Sequence, residues 1–368
     1  MQTILLLRAA KLSKNRAIIA MSGGVDSSVA AYLMKQAGYE CMGATMKLFN
    51  NDDAGVSREK SCCSLEDVED ARSVAYKIGI PYHVFNFSDN FRKEVIERFI
   101  CAYENGMTPN PCIDCNRYLK FDKLFLRAKE LGYNYVVTGH YARIGYNEET
   151  GRYELKKAVD EHKDQSYVLY TMTQEQLAHT LFPLGGMTKD EVRKVAEENG
   201  FVNAKKHDSQ DICFVQGKGY AEFIEEYTKK KYPEGLFVDS DGNYLGTHKG
   251  IIRYTIGQRK GLGISFSEPK YVAGINVEKN EVLLTGNEGL YSRTVRANNF
   301  NFISVSGISE PIEVTAKIRY GQKEKRAVAK QTDKDIIEIE FEEPQRAVTK
   351  GQAVVLYQGD IVVGGGTI

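Results

Sequence analysis

Through the first 140 residues, short apolar runs alternate with stretches whose apolar positions recur at helical spacing. Residues 17–21, 40–46, 81–87 and 135–140 predict strands. Residues 29–34, 64–78, 91–103 and 120–131 predict helices, the second opened by a capping box at Ser64-Leu65-Glu66-Asp67. This alternation predicts a parallel sheet with helices on both faces, in which ligands bind beyond the carboxyl ends of the strands. Residues 22–28 and Gly139-His140 both fall there. From about residue 141 the pattern is mixed, with helices at 174–179, from Thr188-Lys189-Asp190-Glu191 onward, and at 219–229. From Gly235 to the end it becomes short apolar alternation, broken at Asp241-Gly242, at Tyr357-Gln358-Gly359-Asp360 and in a Gly364-Gly365-Gly366 tail. Two β-rich modules dividing near residue 290 are expected.

The most informative stretch is Ser22-Gly23-Gly24-Val25-Asp26-Ser27-Ser28. A strand, a glycine turn and a helix leave backbone N–H groups aimed at one point, where the helix dipole also favours an anion such as a phosphate. No Gly-Lys-Ser/Thr follows, so this is not a Walker A loop. Asp26 stands where such a loop has lysine, and a carboxylate beside phosphates makes sense with Mg²⁺ between them. A lone Ser-Gly-Gly is equally an ordinary serine-capped turn. The full string resembles the pyrophosphatase-type loop of enzymes that adenylate a substrate with ATP and release pyrophosphate, among them GMP synthetase, argininosuccinate synthetase and the tRNA thiolation enzymes. That resemblance implies the ATP chemistry and leaves the substrate open.

Composition narrows the setting. At 368 residues the chain is long enough for two or three domains. Its 42% hydrophobic and 27% charged residues suit a soluble globular protein, and no apolar run approaches the length of a bilayer span. A cytoplasmic location and no membrane partner are expected. Seven cysteines, odd in number and unevenly spaced, do not form a secreted disulfide framework, and a reducing compartment fits better. Net charge is zero, so nucleic-acid binding, if present, rests on local patches. The first fifteen residues carry Arg8, Lys11, Lys14 and a leucine run without an acid; a targeting peptide and an upstream extension both fit.

The second informative stretch is Thr108-Pro109-Asn110-Pro111-Cys112-Ile113-Asp114-Cys115-Asn116. Two prolines and two asparagines predict a loop that restrains its thiols. Cys-x-x-Cys alone is compatible with a zinc half-site, a redox pair or two iron–sulfur ligands. No second such pair follows, and the remaining candidate is Cys213 in Asp208-Ser209-Gln210-Asp211-Ile212-Cys213-Phe214. A single cysteine before Phe also reads as a core thiol, although the polar approach argues against that.

These segments occur in order with Thr138-Gly139-His140-Tyr141-Ala142-Arg143, Lys163-Asp164-Gln165-Ser166-Tyr167, Tyr254-Thr255-Ile256-Gly257-Gln258-Arg259 and Pro344-Gln345-Arg346-Ala347-Val348. Together they resemble the bacterial tRNA-specific 2-thiouridylase family over residues 16–368. The resemblance implies an α/β fold: an N-terminal doubly wound parallel-sheet ATP-loop domain, a small central β-rich domain and a C-terminal β-barrel. The expected boundaries are an extension at 1–15, then 16–210, 211–290 and 291–368. The implied activity is ATP-dependent 2-thiolation of the wobble uridine (position 34) in tRNA for Lys, Glu and Gln. By the same resemblance, Cys115 and Cys213 are catalytic, Cys213 carrying a persulfide and Cys115 resolving it. Ala20, Met21, Ser22, Gly23, Gly24, Val25, Asp26, Ser27, Met46 and Gly139 line the nucleotide site. Asn110, Pro111 and Cys112 touch the target base, and His140, Lys163, Asp164, Gln165, Arg319, Tyr320 and Gln352 touch tRNA. ATP and Mg²⁺ are the implied cofactors. The implied partners are the tRNA anticodon stem-loop and a sulfur donor such as a cysteine desulfurase or sulfur-relay protein.

Cys112 departs from the family, many of whose members have Asp there. With Cys115 and Cys213 it makes three thiolates, one short of a full 4Fe-4S ligand set, so a cluster presenting sulfur is an alternative to the persulfide relay. Cys62-Cys63 read as an exposed surface pair, with a second sulfur port as the alternative. His83 and His207 read as structural. Arg117, Lys120, Lys123, Arg127 and Lys129, with Arg253-Tyr254, Arg259-Lys260, Arg319-Tyr320 and residues 323–326, read singly as solvated faces. Beside the resemblance they suggest a phosphate track with stacking tyrosines. Two other readings stand: a ligase that adenylates a small metabolite, and a cluster-binding protein without ATP turnover.

Overall fold

The computed structural model describes residues 15–49, 65–206, 212–215, 217 and 219–368. The segment before residue 15, Cys62-Cys63, Ser64, His207 and Asp208–Asp211 therefore lie outside the described residues. Two compact units are present. The first takes the described residues up to Val95, those of 112–216, and Asp360–Val362; the second takes Ile96–Pro111, 217–359 and Val363–Ile368.

The first unit is built on a parallel sheet of β1 (Arg16–Ala20), β2 (Glu40–Lys47), β3 (Tyr82–Asn86), β4 (Tyr135–Val137) and β7 (Thr180–Leu181), in the order β3-β2-β1-β4-β7. Ala17, Ile18 and Ile19 are fully buried, as a central parallel strand requires. Helices α1 (Val25–Gln36), α2 (Leu65–Ile78) and α3 (Lys189–Glu198) share a core with β1, through Val29, Ala30, Met34, Val74, Val192 and Ala196. Strand order reverses between β1 and β4, so the turns after these two strands flank the crevice where such sheets bind ligands. The hairpin β5 (Arg143–Asn147) and β6 (Arg152–Lys156) completes this unit, with Lys156 paired to Ile361.

One local expectation fails in an instructive way. The Pro-Asn-Pro-Cys segment is no loop throughout: Pro111 is the first residue of helix Pro111–Asp114, which continues as a π-helix over Cys115–Lys123 and an α-helix over Leu124–Glu130. Proline suits the first helical position, where its missing N–H removes no bond and its φ is already helical. Cys112 and Cys115 thus sit three residues apart on a helix.

In the second unit, β8 (Gly235–Val238), β9 (Tyr244–His248), β10 (Tyr271–Asn276) and β11 (Glu281–Thr285) form a sheet in the order β10-β11-β8-β9. A six-stranded antiparallel barrel follows: β12 (Tyr291–Phe302), β13 (Ile312–Lys317), β14 (Lys325–Asp333), β15 (Ile336–Arg346), β16 (Ala353–Gln358) and β17 (Ile361–Thr367). It runs β12-β15-β14-β13-β16-β17 and closes by pairing β17 with β12. The Gly364-Gly365-Gly366 run is inside β17 rather than a turn. A Cβ on Gly364 would sit 2.3 Å from the Asn301 carbonyl, so glycine here serves close strand approach. Among the described residues no helix is long and apolar enough to cross a membrane.

Candidate active site

The turn after β1 is held in one shape by its own side chains. Ser22 N–H donates to Ser27 Oγ at 3.2 Å, and the hydroxyls of Ser27 and Ser28 donate to the Gly24 carbonyl at 3.0 and 3.1 Å. Gly24 caps α1 and offers the first amides of the helix no side-chain acceptor of its own. Gly23 has φ +78°, and a Cβ there would lie 2.4 Å from the Asp67 carbonyl oxygen; both facts demand glycine. Gly139, after β4, packs against the same helix start: its Cβ would fall 2.7 Å from Ser27 N and 2.8 Å from the Asp26 carbonyl carbon. The two turns at the switch point are therefore in backbone contact. Ala20, Met21, Val25 and Ser27 are buried beneath the turn, Ser22 is exposed, and Met46 is half-buried at the end of β2.

Asp26 is the second residue of α1. Lys189, the first residue of α3, places Nζ 2.7 and 2.9 Å from its two carboxylate oxygens, and Tyr141 OH donates to Oδ1 at 2.8 Å. Tyr141 is fixed in turn by Gln165, whose Oε1 accepts from Tyr141 N at 2.9 Å. Asp164 accepts from Ala158 N, Ser166 N and Ser166 Oγ and so folds the turn that carries Gln165. Lys163 is half-buried in that turn. Behind the glycines, Asn203 donates to the Gly23 carbonyl at 2.8 Å and to Ser28 Oγ at 2.9 Å. Lys206 bridges Asp67 and Asp70 at 2.7 and 2.6 Å. Desolvation opposes its charge, but the two carboxylates outweigh that and raise its pKa.

His140 is 7% exposed and forms a three-ring cluster with Phe121 and Phe182. Burial, reinforced by Lys120, holds its pKa well below the ordinary value of 6.5, so it is neutral at pH 7. Nδ1 lies 2.7 Å from Thr138 Oγ1 and Nε2 lies 3.4 Å from Lys120 Nζ. Lys120 can only donate, which assigns Nε2 as the acceptor and Nδ1 as the protonated nitrogen. The ring is buried, with Lys120 and Thr138 as its side-chain partners.

All three candidate cysteines belong to the first unit. Cys115 is half-buried where the π-helix begins, and the next residue, Asn116, pins the helix by donating to the Val168 carbonyl at 3.1 Å. Cys213 is half-buried in a turn closed by Val215 N to the Ile212 carbonyl, anchored by Phe214 edge-on to Phe91 at 5.7 Å. Phe214, not Cys213, is the core residue there. Cys112 combines an exposed surface with a thiol pushed up by desolvation against the pull of Lys120; it is reachable but less acidic than an ordinary cysteine. Among the described residues, no group of three or more His, Cys, Asp and Glu side chains is gathered as a metal ion would need.

Comparison with known proteins reaches nearly the whole chain. Residues 15–217 match the family model described as tRNA methyl transferase HUP domain, 221–285 the tRNA methyl transferase PRC-barrel domain, and 292–368 the aminomethyltransferase beta-barrel domain. A tRNA-specific 2-thiouridylase MnmA of Clostridioides difficile is 54% identical over 353 residues, covering 96% of this chain and 98% of the relative. The chain belongs to the tRNA-specific 2-thiouridylase family. The protein of the same name from Acetivibrio thermocellus is 51% identical, covering 97% of this chain and all of its own. Among solved structures, a 4-thiouridine synthetase–RNA complex with bound ATP is a weak match, with TM-score 0.37 and 20% identity over 58% of this chain and 50% of that one.

For a 2-thiouridylase, the residues expected at tRNA divide between the two units. Asn110 and Pro111 end the Ile96–Pro111 segment of the second unit, which also holds Arg319, Tyr320 and Gln352. Gln352 Nε2 donates to the Thr108 carbonyl at 2.7 Å, and Thr108 N donates to the Lys350 carbonyl at 2.8 Å. Arg319 donates to Thr349 Oγ1 at 2.9 Å and to the carbonyl of Ala347, a residue held at φ +54°. Arg319 and Gln352 thus brace the turn on which residues 107–108 rest. Tyr320 is 44% exposed. Four cations of the expected phosphate track carry ion pairs with neighbouring carboxylates. Arg253 binds Glu222 and Glu225, Lys325 binds Glu343, Lys129 binds Glu175, and Arg127 binds Glu130. Lys189, Asn203 and Lys206 were not legible as site residues in the sequence; their partners lie over 130 residues away, and no local motif marks them.

Proposed function

We propose that the protein thiolates the wobble uridine of tRNA for Lys, Glu and Gln, using ATP to activate the base. Family membership supports tRNA uridine 2-sulfur transfer by an ATP-loop enzyme, a transferase activity. The observation that carries the reading is the contact of Gly139 with the start of α1. It sets a glycine turn and an amide-rich helix end at the sheet's switch point, in the same unit as Cys115 and Cys213. The site suits Mg²⁺, since Asp26 offers a hard oxygen donor beside the amides that receive phosphate; when bound, the ion would offset polyphosphate charge.

The uridine C2 oxygen attacks the α-phosphate of ATP, pyrophosphate leaves, and C2 now bears a good leaving group. The terminal sulfur of a Cys213 persulfide attacks C2, and AMP departs with the original oxygen. The Cys115 thiolate then attacks Cys213 Sγ. The S–S bond to the base breaks with its electrons on the base sulfur, giving the thione and a Cys115–Cys213 disulfide. A dithiol reductant returns both thiols, and a persulfide donor reloads Cys213. The base must leave its stack to react, at a cost of roughly a few kcal/mol. Asn110, Pro111 and Cys112 are the segment proposed to receive it. A cluster held by Cys112, Cys115 and Cys213 is the alternative route for the sulfur. The methyl-transferase wording of the family descriptions names a different transferred group; the glycine turn at the start of α1 and the cysteine pair fit ATP and sulfur.

The test is nucleoside analysis of tRNA incubated with ATP, a persulfide donor and the protein, wild type or substituted. We expect 2-thiouridine from wild type and Cys112→Ala, and none from Cys115→Ser or Cys213→Ser. Thiolation surviving Cys213→Ser, or dependent on iron and Cys112, overturns the relay. A methylated nucleoside without 2-thiouridine overturns the activity.

A further inference from the structure

Asn203, on the turn that follows α3, is 2% exposed, and only one end of its amide is satisfied. Nδ2 donates to the Gly23 carbonyl at 2.8 Å and to Ser28 Oγ at 2.9 Å, while Oδ1 is buried without a partner among the described residues. The Gly23 carbonyl can only accept, so the amide has one possible orientation. A buried oxygen left unpaired is destabilising, and an apolar side chain of similar size would avoid that cost. Local rules are broken where function requires it. The turn that carries Asn203 is itself anchored. Lys206 N donates to the Asn203 carbonyl at 3.0 Å, and the Lys206 ammonium bridges Asp67 and Asp70 on α2.

The two bonds act on two consecutive peptide planes. The peptides here are trans, and in a trans peptide C=O and N–H point in opposite directions. A Gly23 carbonyl held on Asn203 therefore turns the Gly24 N–H away from it. The second bond reaches the next plane, because Ser28 Oγ accepts from Asn203 and donates to the Gly24 carbonyl at 3.1 Å. That carbonyl faces along α1, and the Val25 N–H points out of the helix start. Gly23 and Gly24 have no side chains to hold these planes, and glycine backbone is free to rotate. We infer that Asn203 is a positioning residue for the ATP loop, which aims the Gly24 and Val25 amides at the phosphates from behind. The inference rests on the reading of residues 22–28 as the ATP loop. Donors fixed before binding lose less freedom when the ligand arrives. The competing role is packing alone, with Asn203 filling space behind the turn.

Asn203→Leu separates these roles, since it keeps a similar volume and removes both donors. Equilibrium binding of pyrophosphate and of a non-hydrolysable ATP analogue is measured on the full chain, with KM for ATP and for tRNA in the thiolation assay. Both ligands are expected to weaken about 5- to 30-fold, roughly the worth of one or two hydrogen bonds. KM for ATP should rise in proportion, while KM for tRNA stays within about twofold. A folded Leu variant that binds both ligands as wild type does overturns the inference in favour of packing, and so does an equal rise in both KM values. If wild type binds neither pyrophosphate nor the ATP analogue, the reading of the loop itself fails and the inference falls with it. Far-ultraviolet circular dichroism checks that the Leu variant is folded. Asn203→Ala also removes both donors, without pressing an apolar group on the Gly23 carbonyl, and keeps the test valid if the Leu variant is not folded.

Discussion

Gly139 and Ser27 approach so closely that a Cβ on the glycine would lie 2.7 Å from the serine's backbone nitrogen. The two nearest atoms, Ser27 N and the Asp26 carbonyl carbon, are backbone, which cannot rotate aside. Gly139→Ala should therefore push the turn after β4 away from α1, at a cost of about 1–3 kcal/mol in stability. ATP affinity should fall at least as steeply as stability, because the displaced atoms are those that frame the cradle. Denaturant titration and nucleotide binding on the same variant check this. A stable Gly139→Ala protein with unchanged ATP affinity would show that the two turns need not touch.

The strands around this contact were legible in the sequence because each is a nearly continuous apolar run bounded by turn residues, as Ala17-Ile18-Ile19-Ala20 illustrates. The capping box at Thr188 and Glu191 was legible for the same local reason and is formed in both directions. The partners of the loop were not. Lys189 reaches Asp26 across 163 residues and Asn203 reaches Gly23 across 180, and neither spacing carries a signal. Pro111 misled because proline in a Pro-Asn-Pro string marks a loop as readily as a helix start. The Gly364 run misled because glycine serves close approach as well as turning. His140 was legible as a special position, while its burial against Phe121 and Phe182 depends on residues distant in sequence.

Gln352 holds the Thr108 carbonyl two residues before Asn110. Gln352→Ala removes that donor and loosens the segment proposed to receive the base. Thiolation measured as kcat/KM for tRNA should drop roughly 10- to 100-fold, the range for a small misplacement of a reactant. ATP affinity should be unchanged, because Gln352 belongs to the second unit and the loop to the first. Parallel loss of ATP binding would contradict a role confined to the base.

His140 gives a pH signature. Its folded-state pKa lies below the ordinary 6.5, chiefly through burial, so the unfolded chain binds its proton first as pH falls. Stability from this site is complete above pH 6.5 and is lost below it, with a slope of up to about 1.4 kcal/mol per pH unit. His248, also lowered chiefly by desolvation, adds slope of the same sign. His140→Asn should flatten, without abolishing, the decline in unfolding free energy between pH 6.5 and 5 measured by denaturant titration. An unchanged slope would mean that the ring is not held neutral.

If ATP activates the uridine C2 oxygen as proposed, that oxygen leaves with AMP. A tRNA carrying ¹⁸O at C2 of the wobble uridine is incubated with the protein, unlabelled ATP and a persulfide donor, and the released AMP is analysed by mass spectrometry. Transfer of the label into AMP, one atom per 2-thiouridine formed, is the result predicted. AMP without label alongside 2-thiouridine would contradict it, and the glycine turn would then require another role.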